Sequence, residues 1–299
     1  MKNQTETQAK LWQYVEKHKP KIENVLREHL PLAPPHIETK FNEAIEYALY
    51  SGGKRIRPVL TLLGAELVGG NAESVLPAAA GVEFIHTSSL IFDDLPCMDN
   101  ASERRGKVSL HEKYGEGLAI LAAIGLLNAS YGLVFVNHWE MPKRAMRAHA
   151  EMVECVGAAG MVGGQTVDLA LAKGAGANDG SNYDFESVRN LKTSALMRLS
   201  LRVGAILGGA NDFELLQLSR FAGLLGDAYQ LSDDLLDLEE DGEIFAGETF
   251  AINQGEEMAG LKLKLIIADA KRVLVENFSL SEARDCLIQL ADYLAERKN

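Results

Sequence analysis

No proline occurs after Pro142, and through most of the chain apolar residues return at intervals of three and four, as in Leu11, Val15, Ile22, Val25 and Leu26. That spacing lays an apolar stripe along a helix, and a stretch without proline leaves the helix unbroken. The clearest breaks are Leu30 to His36, rich in proline; Lys173 to Tyr183, rich in glycine, asparagine and aspartate; and Glu239 to Glu248, acidic with glycine. No run with strand period and no repeat of solenoid length is evident. With 299 residues, 47% of them hydrophobic, the chain is long enough for one large core. The expectation is all-α, a single domain over residues 1–299 built as a bundle of about ten or more helices.

Ala119 to Val136 contains no charged residue and approaches the length of a membrane span. Asn128, Ser130, Tyr131 and two glycines interrupt it, and Glu116 and Glu140 bracket it, so a fully buried central helix explains it better than a membrane helix. Cys97, Cys155 and Cys286 form no CxxC pair, and no basic leader with an apolar run opens the chain. These features predict a reduced, cytoplasmic protein without structural disulfides. The histidines show no zinc-type spacing.

A net charge of −12 argues against a nucleic-acid partner, which a basic face would meet. An anionic small substrate remains compatible, because Lys54, Arg55, Arg57, Arg104, Arg105 and Lys107 concentrate positive charge locally. By itself, the turn from Gly52 to Arg57 reads equally as a solvated basic turn.

Two aspartate clusters carry the chemistry. The first runs Asp93-Asp94-Leu95-Pro96-Cys97-Met98-Asp99 and is followed by Arg104-Arg105-Gly106; the second is Asp233-Asp234-Leu235-Leu236-Asp237. Asp233 and Asp237 are four residues apart, which stacks them on one helix face. Either cluster alone reads as an acidic helix end. Both, however, are embedded in apolar sequence, where unpaired carboxylates are costly to bury. Oxygen donors in this arrangement suit Mg²⁺, which keeps several waters and takes one or two carboxylates plus substrate phosphate oxygens.

With these motifs the chain resembles the trans-isoprenyl diphosphate synthases, the family of farnesyl and geranylgeranyl diphosphate synthases. The motifs follow in family order from about residue 40 to the C-terminus: Gly52-Gly53-Lys54-Arg55-Ile56-Arg57-Pro58, Phe84-Ile85-His86-Thr87, the first aspartate cluster with Arg104-Arg105-Gly106-Lys107, Gly164-Gln165-Thr166-Val167-Asp168, Lys192-Thr193, and Tyr229-Gln230-Leu231-Ser232-Asp233-Asp234. The resemblance implies a helical bundle around a central catalytic cavity, commonly a homodimer, without a membrane span. It also implies Mg²⁺-dependent condensation of isopentenyl diphosphate with an allylic prenyl diphosphate.

By the same resemblance Asp93, Asp94, Asp99, Asp233 and Asp237 hold three Mg²⁺ ions, with Asp234 also in the catalytic set. Arg104, Lys192 and Gln230 contact the allylic diphosphate or its metal shell. Gly53, Lys54, Arg57, His86 and Arg105 match the positions that bind isopentenyl diphosphate, although a core histidine is the usual reading of His86 alone. Gln165 and Thr193 line the space around the reacting carbons, and Asp168 orients Lys192 or assists the metal shell. Ser88, where short-chain enzymes often carry Tyr or Phe, and Ser89 after it leave the tail cavity open, with Phe84 and Ile85 as a lower floor. The expected product is geranylgeranyl diphosphate (C20), with farnesyl diphosphate (C15) as runner-up. Two departures from the family pattern stand out: Gly247 replaces a phosphate-binding lysine, and Ala123-Ile124 replaces Gly-Asp, removing a carboxylate expected to be buried near that cation. They leave open a terpene-synthase-like lyase and a non-catalytic partner subunit as alternatives.

Overall fold

The computed structural model describes residues 9–37, 39–172, 185–240 and 255–296, without the side chains of 171, 172, 185–193, 234 and 237–240. Within these residues lie twelve α-helices: α1 Ala9–Glu28, α2 Phe41–Leu49, α3 Ile56–Leu67, α4 Leu76–Asp93, α5 Leu110–Tyr114, α6 Glu116–Gly132, α7 Pro142–Val156, α8 Met161–Ala172, α9 Phe185–Gly208, α10 Asp212–Glu240, α11 Glu256–Asn277 and α12 Glu282–Glu296. The all-α expectation holds. The predicted break at Leu30 to His36 falls between α1 and α2, whereas the breaks predicted at 173–183 and 239–248 lie largely outside the described residues.

Local chemistry sets several helix ends. Asn211 Oδ1 accepts a hydrogen bond from the Glu214 N–H (3.0 Å) while Glu214 Oε2 accepts one from the Asn211 N–H (2.8 Å), a reciprocal cap that starts α10. Gly52 and Gly53 adopt φ of 113° and 126°, and Arg55 follows at 54°, so the chain turns sharply into α3. The α3–α9 crossing depends on missing side chains. A Cβ at Gly64 would lie 2.2 Å from the Leu201 carbonyl oxygen, and one at Gly204 would lie 1.8 Å from that of Thr61.

Helix α4 runs through the core in contact with α1, α2, α3, α6 and α9. Fourteen of its 18 residues are buried, which explains why its sequence is apolar on every side. Residues 72–93 are long and apolar enough to cross a membrane, but 83% of that apolar window is buried inside the protein. The expectation of a fully buried helix over Ala119 to Val136 is corrected. Helix α6 ends at Gly132, and it buries Ala119, Ala122, Ala123, Leu126 and Ser130 while leaving Ile120, Leu121 and Ile124 exposed.

One hairpin interrupts the helices among the described residues. Strands β1 (Glu103–Arg104) and β2 (Lys107–Val108) pair antiparallel, with Arg104 opposite Lys107. Arg105 and Gly106 between them have φ of 56° and 71°, the left-handed pair that a two-residue type I′ turn requires. Two-residue strands are too short to show a period of two, so sequence pattern gave no warning of them. The hairpin matters because it carries both arginines of the first aspartate motif.

Candidate active site

Each residue advances a helix by about 100°, so α4 presents three distinct faces to its surroundings. Ile85, Ser88, Ser89, Phe92 and Asp93 share the first, and all five line a cavity of about 240 Å³. Its other walls come from Met98, Leu127 of α6, Val156 of α7, and Met161, Val162, Gln165, Thr166 and Leu169 of α8. Apart from Asp93 at the end of α4, Gln165 and three hydroxyls, this lining is apolar. Phe84 is fully buried but does not line it. It falls on the second face with Thr87, Ile91 and Asp94, and the latter three wall a small cavity of about 30 Å³ with Tyr47, Arg104 and Arg105. Phe84 and Ile85 are expected to form the tail floor together; of the two, only Ile85 lines this cavity.

The first aspartate cluster forms the C-terminal end of α4 and the loop beyond it. The Asp99 N–H donates to the Asp93 carbonyl (2.9 Å), the Asn100 N–H to that of Leu95 (3.1 Å) and the Ala101 N–H to that of Asp94 (3.2 Å), so the loop folds back on the helix end. This places Asp99, exposed, beside half-buried Asp93. Asp94 is buried and engaged elsewhere: Arg104 Nε donates to its Oδ1 at 2.9 Å and Nη2 reaches the same oxygen. That hydrogen bond, with Asp93 and Asp99 nearby, raises the Arg104 pKa above the ordinary arginine value.

The third face of α4 carries Glu83 and His86. Arg57 Nη1 lies 3.1 Å and Arg105 Nη2 3.4 Å from His86 Nε2. A guanidinium can only donate, so Nε2 accepts and the ring is neutral with its proton on Nδ1. Burial first, then Arg57 and Arg105, pushes the His86 pKa well below its ordinary 6.5. Burial likewise lowers Arg57 and Arg105. Arg105 also donates to the Gly52 carbonyl oxygen, and a Cβ at Gly53 would sit 2.8 Å from its guanidinium, so glycine at 53 makes room for it. Lys54 donates to the Tyr293 hydroxyl at 2.8 Å. Arg55, counted by sequence among the basic residues near a substrate, points inward to Glu83 and Glu23 at 2.8 Å each.

Gln165 reaches Met98 Sδ through Nε2 at 3.8 Å, and its Oε1 is buried without a hydrogen-bond partner among the described residues. Gln230 and Asp233 are half-buried on α10. Tyr229, one residue before Gln230, lies within electrostatic reach of Arg57, and α9 packs against both α4 and α10. The side chains of Lys192, Thr193, Asp234 and Asp237, and all of Gly247, lie outside the described residues. At position 124 the structure corrects the sequence reading: Ile124 is on the outer side of α6, so a carboxylate there would not reach into a buried phosphate site of its own chain.

Among the described residues no three histidine, cysteine or acidic side chains gather tightly enough to enclose an ion. Mg²⁺ asks for no such cage, since waters and substrate oxygens fill most of its octahedron. The all-oxygen donors at Asp93 and Asp99 fit it.

A family model described as polyprenyl synthetase matches residues 38–278. The chain is 38% identical over 305 residues to a chloroplastic geranylgeranyl pyrophosphate synthase of Capsicum annuum, covering 99% of this chain and 81% of that protein. It is 37% identical over 295 residues to the chloroplastic large subunit 1 of a heterodimeric geranylgeranyl pyrophosphate synthase of Arabidopsis thaliana, covering 93% and 77%. Among solved structures, an FPP/GFPP synthase from Zymomonas mobilis in its apo form superposes with a TM-score of 0.83 at 29% identity, covering 95% of this chain and 98% of that one. A putative farnesyl-diphosphate synthase from Marinomonas sp. MED121 gives 0.80 at 29% identity, covering 96% and 99%. The cytoplasmic expectation is overturned by curated relatives, among them those of Capsicum annuum and Arabidopsis thaliana above, that are named as chloroplastic.

The depressed pKa of His86 has a measurable consequence. Near pH 6.5 the unfolded chain takes up a proton that the folded protein refuses. The contribution of this residue to stability is thus complete above 6.5 and declines as pH falls below it. In urea unfolding between about pH 5 and pH 7, the His86→Gln variant should lose stability less steeply than the parent toward acid. Equal slopes in the two proteins would show that His86 is not held neutral.

Proposed function

The chain belongs to the polyprenyl synthetase family, and from that membership we propose a short-chain trans-prenyltransferase that condenses isopentenyl diphosphate with an allylic diphosphate. The observation that carries the reading is the apolar cavity beside α4, with carboxylates at one end of that helix and two arginines on His86 a face away. Condensation breaks the allylic C1–O bond and joins C1 to C4 of isopentenyl diphosphate. A proton leaves C2, and pyrophosphate departs with the electron pair of the broken bond.

The two diphosphates need different hosts, and the side chains divide accordingly. Lys54, Arg57, Arg105 and neutral His86 bind the isopentenyl diphosphate, which must keep its C–O bond. Guanidinium forks suit phosphate oxygens, and the lysine adds a flexible point charge. Asp93 and Asp99, together with Asp233 of α10, would hold Mg²⁺, expected as three ions, which supplies Lewis-acid stabilisation to the leaving pyrophosphate. Arg104 assists from the same end, and its pairing with Asp94 keeps that charge in place. Gln165 directs an amide oxygen with no other partner at the cavity, where it can steady positive charge on the reacting carbons without acting as a strong nucleophile. An intact basic set supports elongation over ionisation alone, which needs no second diphosphate site.

The allylic tail occupies the cavity along Ser88, Ser89 and Ile85. At ~1.5 Å per residue, Ser88 lies roughly 7 Å and Ile85 roughly 12 Å along the helix from Asp93. Serines at the first distance let the tail pass, and Ile85 with Leu127 limits it at the second. We favour C20 geranylgeranyl diphosphate over C15. The apolar residues exposed on α6 (Ile120, Leu121, Ile124) and α7 (Met146, Val153) support a homodimer that covers them, since patches of this kind mark contact surfaces.

Asp93→Ala or Asp233→Ala should lower turnover by about two orders of magnitude or more, measured as incorporation of isopentenyl diphosphate with saturating Mg²⁺. Near-normal turnover in both folded variants would sink the two-cluster assignment. Ser88→Phe should shorten the product toward C15 or below, read by chromatography of the dephosphorylated alcohols. An unchanged product distribution would mean that the tail runs elsewhere. Sedimentation should give a dimer for the parent and a monomer for Leu121→Glu; a monomeric parent at micromolar concentration rules the homodimer out.

A further inference from the structure

Lys54 follows two glycines on an exposed turn, where a lysine would ordinarily sample many rotamers. Here its ammonium is held. Nζ donates to the Tyr293 hydroxyl at 2.8 Å and lies 5.2 Å from the centre of the Tyr293 ring and 5.5 Å from that of Trp12. The two rings meet edge to face, with centroids 5.2 Å apart and planes at 86°, and the ammonium sits at the hydroxyl edge of Tyr293 within cation–π range of Trp12. Neither ring belongs to the motifs that mark the active site: Trp12 is on α1 and Tyr293 on α12. The two helices are themselves tied together, by Lys10 to Asp285 at 2.8 Å and by the Leu11 N–H to Gln289 Oε1 at 2.8 Å.

We propose that Trp12 and Tyr293 are positioning residues for isopentenyl diphosphate, bracketing the Lys54 ammonium so that it meets the diphosphate already ordered. The inference rests on the assignment of Lys54 to that substrate. An ammonium has three N–H donors. The Tyr293 hydroxyl takes one, and the ring faces take no strong hydrogen bond, so donors remain for phosphate oxygens. Arg105 fixes the other side of the same turn through the Gly52 carbonyl oxygen, and the loop is thereby anchored at both edges before substrate arrives. Ordering a lysine in advance removes an entropic cost from binding, and the expected benefit is about two- to tenfold in affinity.

Steady-state kinetics on the full chain test this, varying each substrate at saturation of the other. Lys54→Ala should raise KM for isopentenyl diphosphate. Tyr293→Phe, which keeps the ring and removes the hydroxyl, should raise the same KM about two- to tenfold, leaving kcat and the allylic KM within about twofold. In the Lys54→Ala background Tyr293→Phe should add nothing. Trp12→Phe, with melting temperature as a check on folding, provides a second and smaller version of the same pattern. If Lys54→Ala raises KM and Tyr293→Phe leaves it unchanged, lowers it, or raises it equally in both backgrounds, the bracket is wrong while the Lys54 assignment stands. A silent Lys54→Ala overturns both.

Discussion

The ion pair between Arg55 and Glu83 fixes the helix on which the site is built. Both side chains are about 3% exposed and meet at 2.8 Å. A lone carboxylate in the middle of α4 could not stay ionised there, because desolvation would outweigh any packing gain. Arg55 reaches it because a left-handed residue after two glycines turns the side chain inward, where it also binds Glu23 and the Leu49 carbonyl oxygen. Burial opposes the arginine charge, yet Glu83 and Glu23 together raise its pKa. Such a pair adds little net stability compared with apolar replacements, although breaking it costs about 3–5 kcal/mol. Its consequence is rotational: with Glu83 locked toward Arg55, His86 must face Arg57 and Arg105, and Ser88 must face the tail cavity.

The fold was legible because helical period survives in nearly every segment, and the site was legible because its charges sit at conspicuous places in that pattern. What the sequence concealed follows from geometry finer than composition. Arg55 and Arg57 are two residues apart and look equivalent, but a left-handed backbone sends the first into the core and leaves the second beside His86. Phe84 and Ile85 are neighbours, and the 100° between them assigns one to the core and the other to the cavity. Ile124 reads as a buried replacement until α6 is seen to expose that side. Trp12 carries no motif signal at all, since its partner is more than two hundred residues away in sequence and only folding brings the two ends together.

Charge separation, not total charge, decides how two similar diphosphates are told apart. Two unit charges 4 Å apart interact by about 4 kcal/mol at the effective dielectric of a protein surface. Near Asp93 and Asp99 a bare diphosphate is repelled by that order and can enter only with cations. Beside His86 the same diphosphate is attracted without any metal. Asp94 would blur this contrast, lying on the face of α4 that looks toward Arg105, and its pairing with Arg104 removes the ambiguity. A net charge of −12 is thus compatible with an anionic substrate because the nearest few side chains outweigh the rest, which lie beyond a screening length.

Elongation then becomes a contest between burial and packing. Each five-carbon unit pushed into the cavity gains about 4 kcal/mol from its methylene-sized groups, whereas mild overpacking costs only about 1–3 kcal/mol. A wall that yields would therefore be overrun by the next unit. Met98 and Met161 at the cavity are adaptable side chains of that yielding kind, so in the proposed arrangement they would shape a tail without ending it. The walls that can end growth are those whose backbone cannot retreat. Ile85 belongs to α4, which is pinned by Glu83, and Leu127 belongs to α6, which approaches α4 so closely that a Cβ at Gly81 would lie 2.9 Å from the Ser130 carbonyl oxygen. On the proposed assignment the stop on chain length is a property of the α4–α6 contact, and the same rigid helix holds His86 toward Arg57 and Arg105.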